Sequence, residues 1–564
     1  MTKETNNPTK CPICGKPTHK ESVNCIFHAS AEEKTEREFK EALKEYVNKI
    51  KDKNKDYNFK DFVFVGNVID FKKEFGVDIF INANFKGTIF YGFIKFEEII
   101  FKGDANFDKS KFNGASFKNT RFEGDLFLTK ATFCGVVTFE KAMFFKNAYF
   151  GETFFLEEAN FNEMSVLAVN FFKTTFKKYA LFMKTNFRRE ALFWYARFEG
   201  FTYFNEAKFP SHVNFSDASF KTVTFEKAIF KKGAIFSNTI FNEVVNFENA
   251  NLTENIFFNN ATFKSITKFI LIGEQDYLDF TFSKFNSGIP VIIKITKGEI
   301  NFKNAILENI SLTLKINRSV SINFERAVLK NTQLKRRDIE HNIIQEKKNK
   351  YPEAKEIYLM LKNNFHSTGR YEDESWAYKK EKDMERFSNS FGEFINNREK
   401  KNQFKKILLS VKKSLGKKII LKFRLFKTWL ISKKAIKWFN LSVSNFIFQY
   451  GENPWYVIRF ASIVILFFAV LLNILGIVNG GRTDLILQQI KEVQGKYNLN
   501  YSGPVIGNFL NCLYFSVVTF TTLGYGDFQP LEGWSRFWVS LEALIGAFTM
   551  ALFVYTFARR TGGR

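Results

Sequence analysis

Proline is scarce in this chain, nine among 564 residues, and glycine is ordinary at 31. Collagen-like and low-complexity architectures are thereby excluded, and a chain of this length predicts several domains with large cores. Five cysteines, an odd number, argue against a disulfide framework. The N-terminus, MTKETNNPTK, has no apolar run and does not read as a secretory signal peptide. No helix carries the spaced arginines of a voltage sensor, and no Rossmann pattern follows the last apolar segment. No cluster of His, Asp or Ser suggests a catalytic site, so the protein is not expected to be an enzyme.

Phenylalanine is in excess, 73 against 19 tyrosines and 7 tryptophans. So is positive charge, a formal +25, which calls for an anionic partner such as nucleic acid or a lipid surface. Two apolar segments favour lipid. Trp455–Val478 is long enough to cross a bilayer as a helix, and its one charge, Arg459, lies near an end where it can snorkel. Phe537–Ala558 is the second, followed by RRTGGR. Between them Asn508–Phe520 covers roughly 20 Å as a helix, too short to cross, and reads as re-entrant. Lys and Arg crowd the approach to the first span and the exit from the second, whereas 479–507 holds only Arg482, Lys491 and Lys496. The positive-inside rule then predicts a multi-pass protein of the cell (plasma or inner) membrane with both termini cytoplasmic.

In GDANFDKSKFNGASFKNTRFEGDLF phenylalanine recurs at 107, 112, 117, 122 and 127. Further on, at 187, 193, 198, 204, 209, 215, 220, 225 and 230, steps of five and six mix. Small residues often stand two before: Ala105, Ala115, Ala159, Ala218, Ala228 and Ala261. Neither the helical nor the strand period fits, and a fixed short period points to a solenoid. If each step turns one corner, four close a coil and the next coil stacks Phe on Phe. On the motifs ANFDKSKFNGASF and VNFSDASFKTVTF the segment resembles the pentapeptide-repeat family, from about residue 82 to 265 and more loosely to about 330. The resemblance implies a right-handed quadrilateral β-helix with the central Leu or Phe inward. Coils of roughly 22 residues would number about eleven and make a rod of roughly 50 Å. Some family members mimic DNA, which needs an acidic surface. Here Lys mixes with Glu and Asp, so a scaffold or a docking surface for a cytoplasmic protein is expected.

Near the N-terminus CPICGKPTHKESVNCIFH sets Cys11, Cys14, Cys25 and His28 at C-x2-C-x10-C-x2-H. Three sulfurs and one nitrogen suit a structural zinc ion, with His19 as a substitute ligand. Ala31–Asp56 reads as a helix and linker. PEAKEIYLMLKNNFHSTGRYEDESWAYKKEKDMERF reads as two helices joined at HSTG. It is similar to one tetratricopeptide hairpin, with Glu374 where that family has alanine, and is expected to cap the rod or link it to the membrane part. Residues 398–440 hold fifteen Lys and Arg against one Glu, with apolar residues interleaved. Anionic lipid headgroups are the expected partner there, and nucleic acid is not.

Thr519–Phe528, TFTTLGYGDF, occurs once. Its alternate glycines accept φ > 0, which lets successive carbonyls face one axis and replace the water around a cation. With two Thr before, Asp after, a short apolar helix preceding and a span on either side, 455–560 resembles the pore domain of two-transmembrane potassium channels, whose filter reads T-V-G-Y-G-D. The resemblance implies a homotetramer conducting K+ through a selectivity filter of Thr522, Leu523, Gly524, Tyr525 and Gly526. Leu523 replaces the family's Val. Asp527, Thr521 and Tyr514 are expected to support the filter. A simple bacterial relative pairs that Asp with a pore-helix Glu; Val518 stands here, so Asp527 needs another partner, Tyr514 or an indole. Carried over without a gap, the hinge glycine falls on Gly546 and the cavity positions on Ala547, Met550 and Val554. Glu542 is an intramembrane acid, a functional candidate by default or a group bonded behind the pore helix.

The expected organisation is a zinc-binding knuckle over 1–30, helix and linker over 31–80, the pentapeptide β-helix over 81–332, a helical hairpin over 333–397, a basic interfacial segment over 398–454 and an all-α two-span pore domain over 455–564. The expected function is a potassium-selective channel subunit with the β-helix as scaffold or regulatory module. The alternative is a membrane-tethered repeat scaffold that does not conduct or does not select.

Overall fold

The computed structural model describes residues 10–51, 56–273, 276–399, 415–479, 505–530 and 533–561. The chain divides into two compact units, residues 1–349 with 363–370 and residues 350–362 with 371–564.

The first unit is built on a parallel β-solenoid of about 12 turns across residues 57–330. One coil runs through Arg121–Phe122, Leu126–Phe127, Thr132–Phe133 and Val137–Thr138. Each strand pairs in parallel with its counterpart one coil on: Arg121 with Met143, Leu126 with Ala148, Thr132 with Phe154, Val137 with Ala159. Because coils repeat at the strand spacing, each inward ring lands on the next. Phe117, Phe139, Phe161, Phe182, Phe204, Phe225 and Phe247 form one such ladder, with successive centroids 4.6–5.2 Å apart and all of them buried. Neighbouring ladders meet edge to face, as Phe150 and Phe161 do at 89°, the arrangement that aromatic quadrupoles favour.

The mixed step of five and six has a backbone cause. Every second corner holds a residue in the left-handed region, among them Lys109, Asn119, Lys130, Lys141 and Glu152 at φ 55–60°. That corner keeps a step of five, as from Phe107 to Phe112; the intervening corner takes five or six. The next residue is most often small or a hydroxyl. Thr120, Thr174 and Thr185 are buried there and donate to the carbonyls of Phe96, Phe150 and Phe161 at 2.6–2.7 Å, so these hydroxyls are paired inside the rod.

The solenoid starts at Tyr57, ahead of the boundary at 81 read from the phenylalanine spacing. Residues Phe71–Phe75 form a short helix, capped by Asp70 at one end and by left-handed Gly76 at the other, which breaks the repeat in the first coil. Over that coil lies the helix Glu36–Lys51, whose Phe39, Leu43, Val47 and Ile50 are buried along one face. Phe39 meets Phe64 edge to face at 5.2 Å, and Phe27 stacks on Phe62 at 4.7 Å. At the far end Asn364 accepts from the Thr332 N–H at 2.8 Å and donates to its carbonyl at 2.9 Å. The first coil is thus covered rather than left as an open edge, and the last is met by Asn364.

The second unit is helical. The expected hairpin forms as Tyr351–Ser367 and Tyr371–Ser388, and the basic interval contributes Leu415–Leu430 and Lys433–Phe448. The outer helix, Pro454–Leu475, starts on the side chain of Asn453, which accepts from Trp455 N, with Pro454 in its first turn. The short helix is Val505–Phe520 and the inner helix Trp534–Thr561. Outer and inner helices are both long and apolar enough to cross a membrane. A two-stranded antiparallel ribbon, Ile477–Asn479 with Phe528–Pro530, joins the end of the outer helix to the residues that follow the filter motif. The expected loop basic residues Arg482, Lys491 and Lys496, the basic run 400–414 and Arg564 lie outside the described residues.

Candidate functional site

The short helix is held between the two long ones. Phe520 packs with Val464 and Phe468 of the outer helix, backed by Trp538 and Ile545 of the inner helix. One level on, Cys512 and Phe515 pack with Leu472, backed by Ile477, Phe528 and Val539. The helix ends at Phe520, where the Thr521 hydroxyl donates to the Val517 carbonyl at 2.7 Å and the Leu523 N–H to the Val518 carbonyl at 3.0 Å. The backbone then turns left-handed at every second residue: Thr522 at φ 57°, Gly524 at 59° and Gly526 at 78°. Alternation was expected at the two glycines and extends back to Thr522. A Cβ on Gly524 or Gly526 would meet nothing within 4 Å. Within one chain it is the conformation, not the space, that favours glycine there. Leu523 and Tyr525 are 57% and 66% exposed in the single chain.

Tyr514 lies near enough to the Asp527 carboxylate to interact with it, and its ring meets Phe528 at 6.0 Å. Gly546 lies directly against the end of the short helix, where a Cβ would stand 2.0 Å from the Phe520 carbonyl oxygen. The inner helix runs unbroken through this position. What Gly546 does in this structure is permit close helix approach rather than bend the helix. Ala547, Met550 and Val554 stay uncovered, the last two at 49% and 64% exposure. Glu542 is fully buried and bonds Ser516 of the short helix, so the structure places it behind that helix.

At the far end of the inner helix, Arg559 pairs with Glu452 at 2.6 Å, and the Glu452 side chain is only 2% exposed. Ser375 donates to the other Glu452 oxygen, and the Arg559 guanidinium lies 5.0 Å from the Tyr378 ring. Tyr450 donates to Asp383 at 2.9 Å. Helix Tyr371–Ser388 is thereby fastened beside the start of the outer helix and the end of the inner one.

In the first unit the Sγ atoms of Cys11, Cys14 and Cys25 and a ring nitrogen of His28 lie within 4.8 Å of one another. His28 Nδ1 is 3.1 Å from Cys25 Sγ, and Cys14 Sγ is 3.5 Å from Cys25 Sγ. His28 Nε2 is 3.2 Å from the Lys60 carbonyl; donation there leaves Nδ1 as the ligand atom. Gly15, at φ 71°, closes the knuckle by donating to the Cys11 carbonyl. The set fits a metal such as zinc. His19 lies apart from it, with Nε2 4.0 Å from Glu38. Beside the knuckle, burial pushes the Lys34 ammonium down to about 7, and it donates to the Ile26 and Val63 carbonyls at 2.7 Å.

Residues 497–562 match the family model described as ion channel, and residues 85–132 the one described as pentapeptide repeats (9 copies). The chain joins a pentapeptide-repeat domain to an ion-channel segment. No curated protein and no solved structure matches it. In the helical unit, the Glu452–Arg559 pair was not anticipated, because its partners stand far apart in sequence with no shared motif. Ser516 was likewise missed, since a lone serine in an apolar helix carries no signal until its neighbour is known.

Proposed function

We propose that four copies of this chain form a potassium-selective channel, each supplying one quarter of the filter at Thr522–Gly526. The observation that carries this reading is the left-handed backbone at Thr522, Gly524 and Gly526, in a segment anchored between two membrane-length helices. Such alternation suits a file of carbonyls aimed at one axis, able to replace the hydration shell of K+. One chain cannot surround an ion. The exposure of Leu523 and Tyr525 supports further copies covering them, and that of Met550 and Val554 suits positions that face a cavity. The short helix ends immediately before the filter, so four negative helix ends would converge on the cation path. In this reading Leu523 keeps the carbonyl of the family's Val and alters only the packing behind it.

The termini are cytoplasmic, the 398–440 interval lies on anionic headgroups, and the β-helix is a scaffold or a docking site for a cytoplasmic protein. Cys11, Cys14, Cys25 and His28 hold a structural zinc ion; metal analysis of the full chain should find one zinc per chain, lost in Cys25→Ser. The deciding experiment is reconstitution into liposomes under a potassium gradient. Potassium flux well above sodium flux is expected. Equal fluxes would leave a non-selective cation channel, and no flux with an assembled protein would leave a tethered scaffold.

A further inference from the structure

We propose that Glu542 is a positioning residue of the filter, carrying a proton that it donates to Ser516 and so tying inner, short and outer helices together. Glu542 and Ser516 are both fully buried. The Ser516 oxygen stands against Glu542 Oε1 and also 2.9 Å from the Ile465 carbonyl oxygen of the outer helix. A hydroxyl owns one hydrogen. With an ionised carboxylate, both neighbours would be acceptors, and one contact would set lone pair against lone pair. The count closes when the carboxyl hydrogen points at Ser516 and the Ser516 hydrogen points at Ile465. Among the described residues the second carboxyl oxygen, Oε2, is buried without a partner, which a neutral acid bears far better than an anion. The other titratable or charged side chains on the described parts of the three helices are Tyr456, Arg459, Cys512, Tyr514, Arg536, Tyr555, Arg559 and Arg560; the hydrogen bond of this carboxyl goes to Ser516.

The position gives the relay its task. Ser516 is one helical turn before Phe520, and Glu542 is one turn before Gly546, which touches the Phe520 carbonyl. Two contacts one turn apart set both the height and the rotation of the short helix against the inner helix. Thr521 and Thr522, the filter entrance, follow directly. Loosening the upper contact lets the end of the short helix shift and spreads the carbonyl positions on which discrimination between cations depends.

This inference rests on the channel reading above, and its test separates the two. The reconstituted full chain is compared as wild type, Glu542→Gln, Glu542→Ala and Ser516→Ala by potassium-to-sodium permeability ratio. Gln keeps a donor toward Ser516 and should keep wild-type discrimination, whereas Glu542→Ala and Ser516→Ala should lose it toward unity. A Gln variant as poor as the Ala variant, or an Ala variant as selective as wild type, would overturn the inference. The infrared difference spectrum of wild type against Glu542→Gln, taken on the same protein, should contain a protonated-carboxyl C=O band. A missing band overturns the proton assignment whether or not the protein conducts; a wild type that passes no ion overturns the channel reading while the band still reports the proton.

Discussion

The solenoid and the channel segment solve the problem of a buried interior in opposite ways. In the solenoid most inward rings are covered by the inward side chains one coil before and after, as Phe182 is by Phe161 and Phe204. Each corner has many counterparts, and the first coil is covered by the helix Glu36–Lys51. In the channel segment every functional position is singular, and the side chains around the filter are left uncovered in one chain. A repeat can complete itself along the chain. A pore built on one Gly-Tyr-Gly must be completed by other copies. Robustness to change should therefore be high and graded in the first unit, and low and abrupt in the filter.

The sharpest way to break that contrast is Gly524→Ala. An alanine at φ 59° costs about 1–2 kcal/mol, and four copies would bear it around one axis. The expected result is loss of potassium discrimination in reversal-potential measurements, with the strand content of the repeat domain unchanged. Wild-type discrimination in this variant would mean that the filter geometry is not the one described. In the solenoid, Phe182→Ala should destabilise by about 3–5 kcal/mol, because a ring stacked on both sides leaves a hole that rigid ladders fill poorly. Denaturant unfolding of the full chain, read on the strand signal, checks the size, and ion selectivity should stay at the wild-type value. A smaller effect is expected at the Glu452–Arg559 pair. Glu452→Gln removes a buried charge but keeps a polar partner, and about 1.5–3 kcal/mol of charged hydrogen bonding is lost. Single-channel recording should then register a changed open probability with selectivity intact. An unchanged open probability would mean that helix Tyr371–Ser388 is fastened to the channel segment without influencing its gate.

The phenylalanine spacing made the solenoid legible because the same physical requirement, one inward ring per corner, recurs dozens of times. The exception shows the limit. The first coil hides behind the helix Phe71–Phe75, where a local turn of helix replaces a corner and the period is lost. The Cys-x2-Cys and Cys-x2-His spacing was legible for the same reason as the glycines of the filter, since all its partners but the Lys60 carbonyl are near in sequence.

What the sequence by itself determined about this protein is the set of local requirements: which residues turn inward, where glycine must stand, which helices can cross a bilayer. Only the tertiary structure decided that Gly546 serves the Phe520 carbonyl, that Glu542 faces Ser516 and that Arg559 closes on Glu452. Each of these depends on how two helices approach and rotate against each other. That geometry follows from the summed packing of many apolar side chains, none of which carries the pairing in its own spacing.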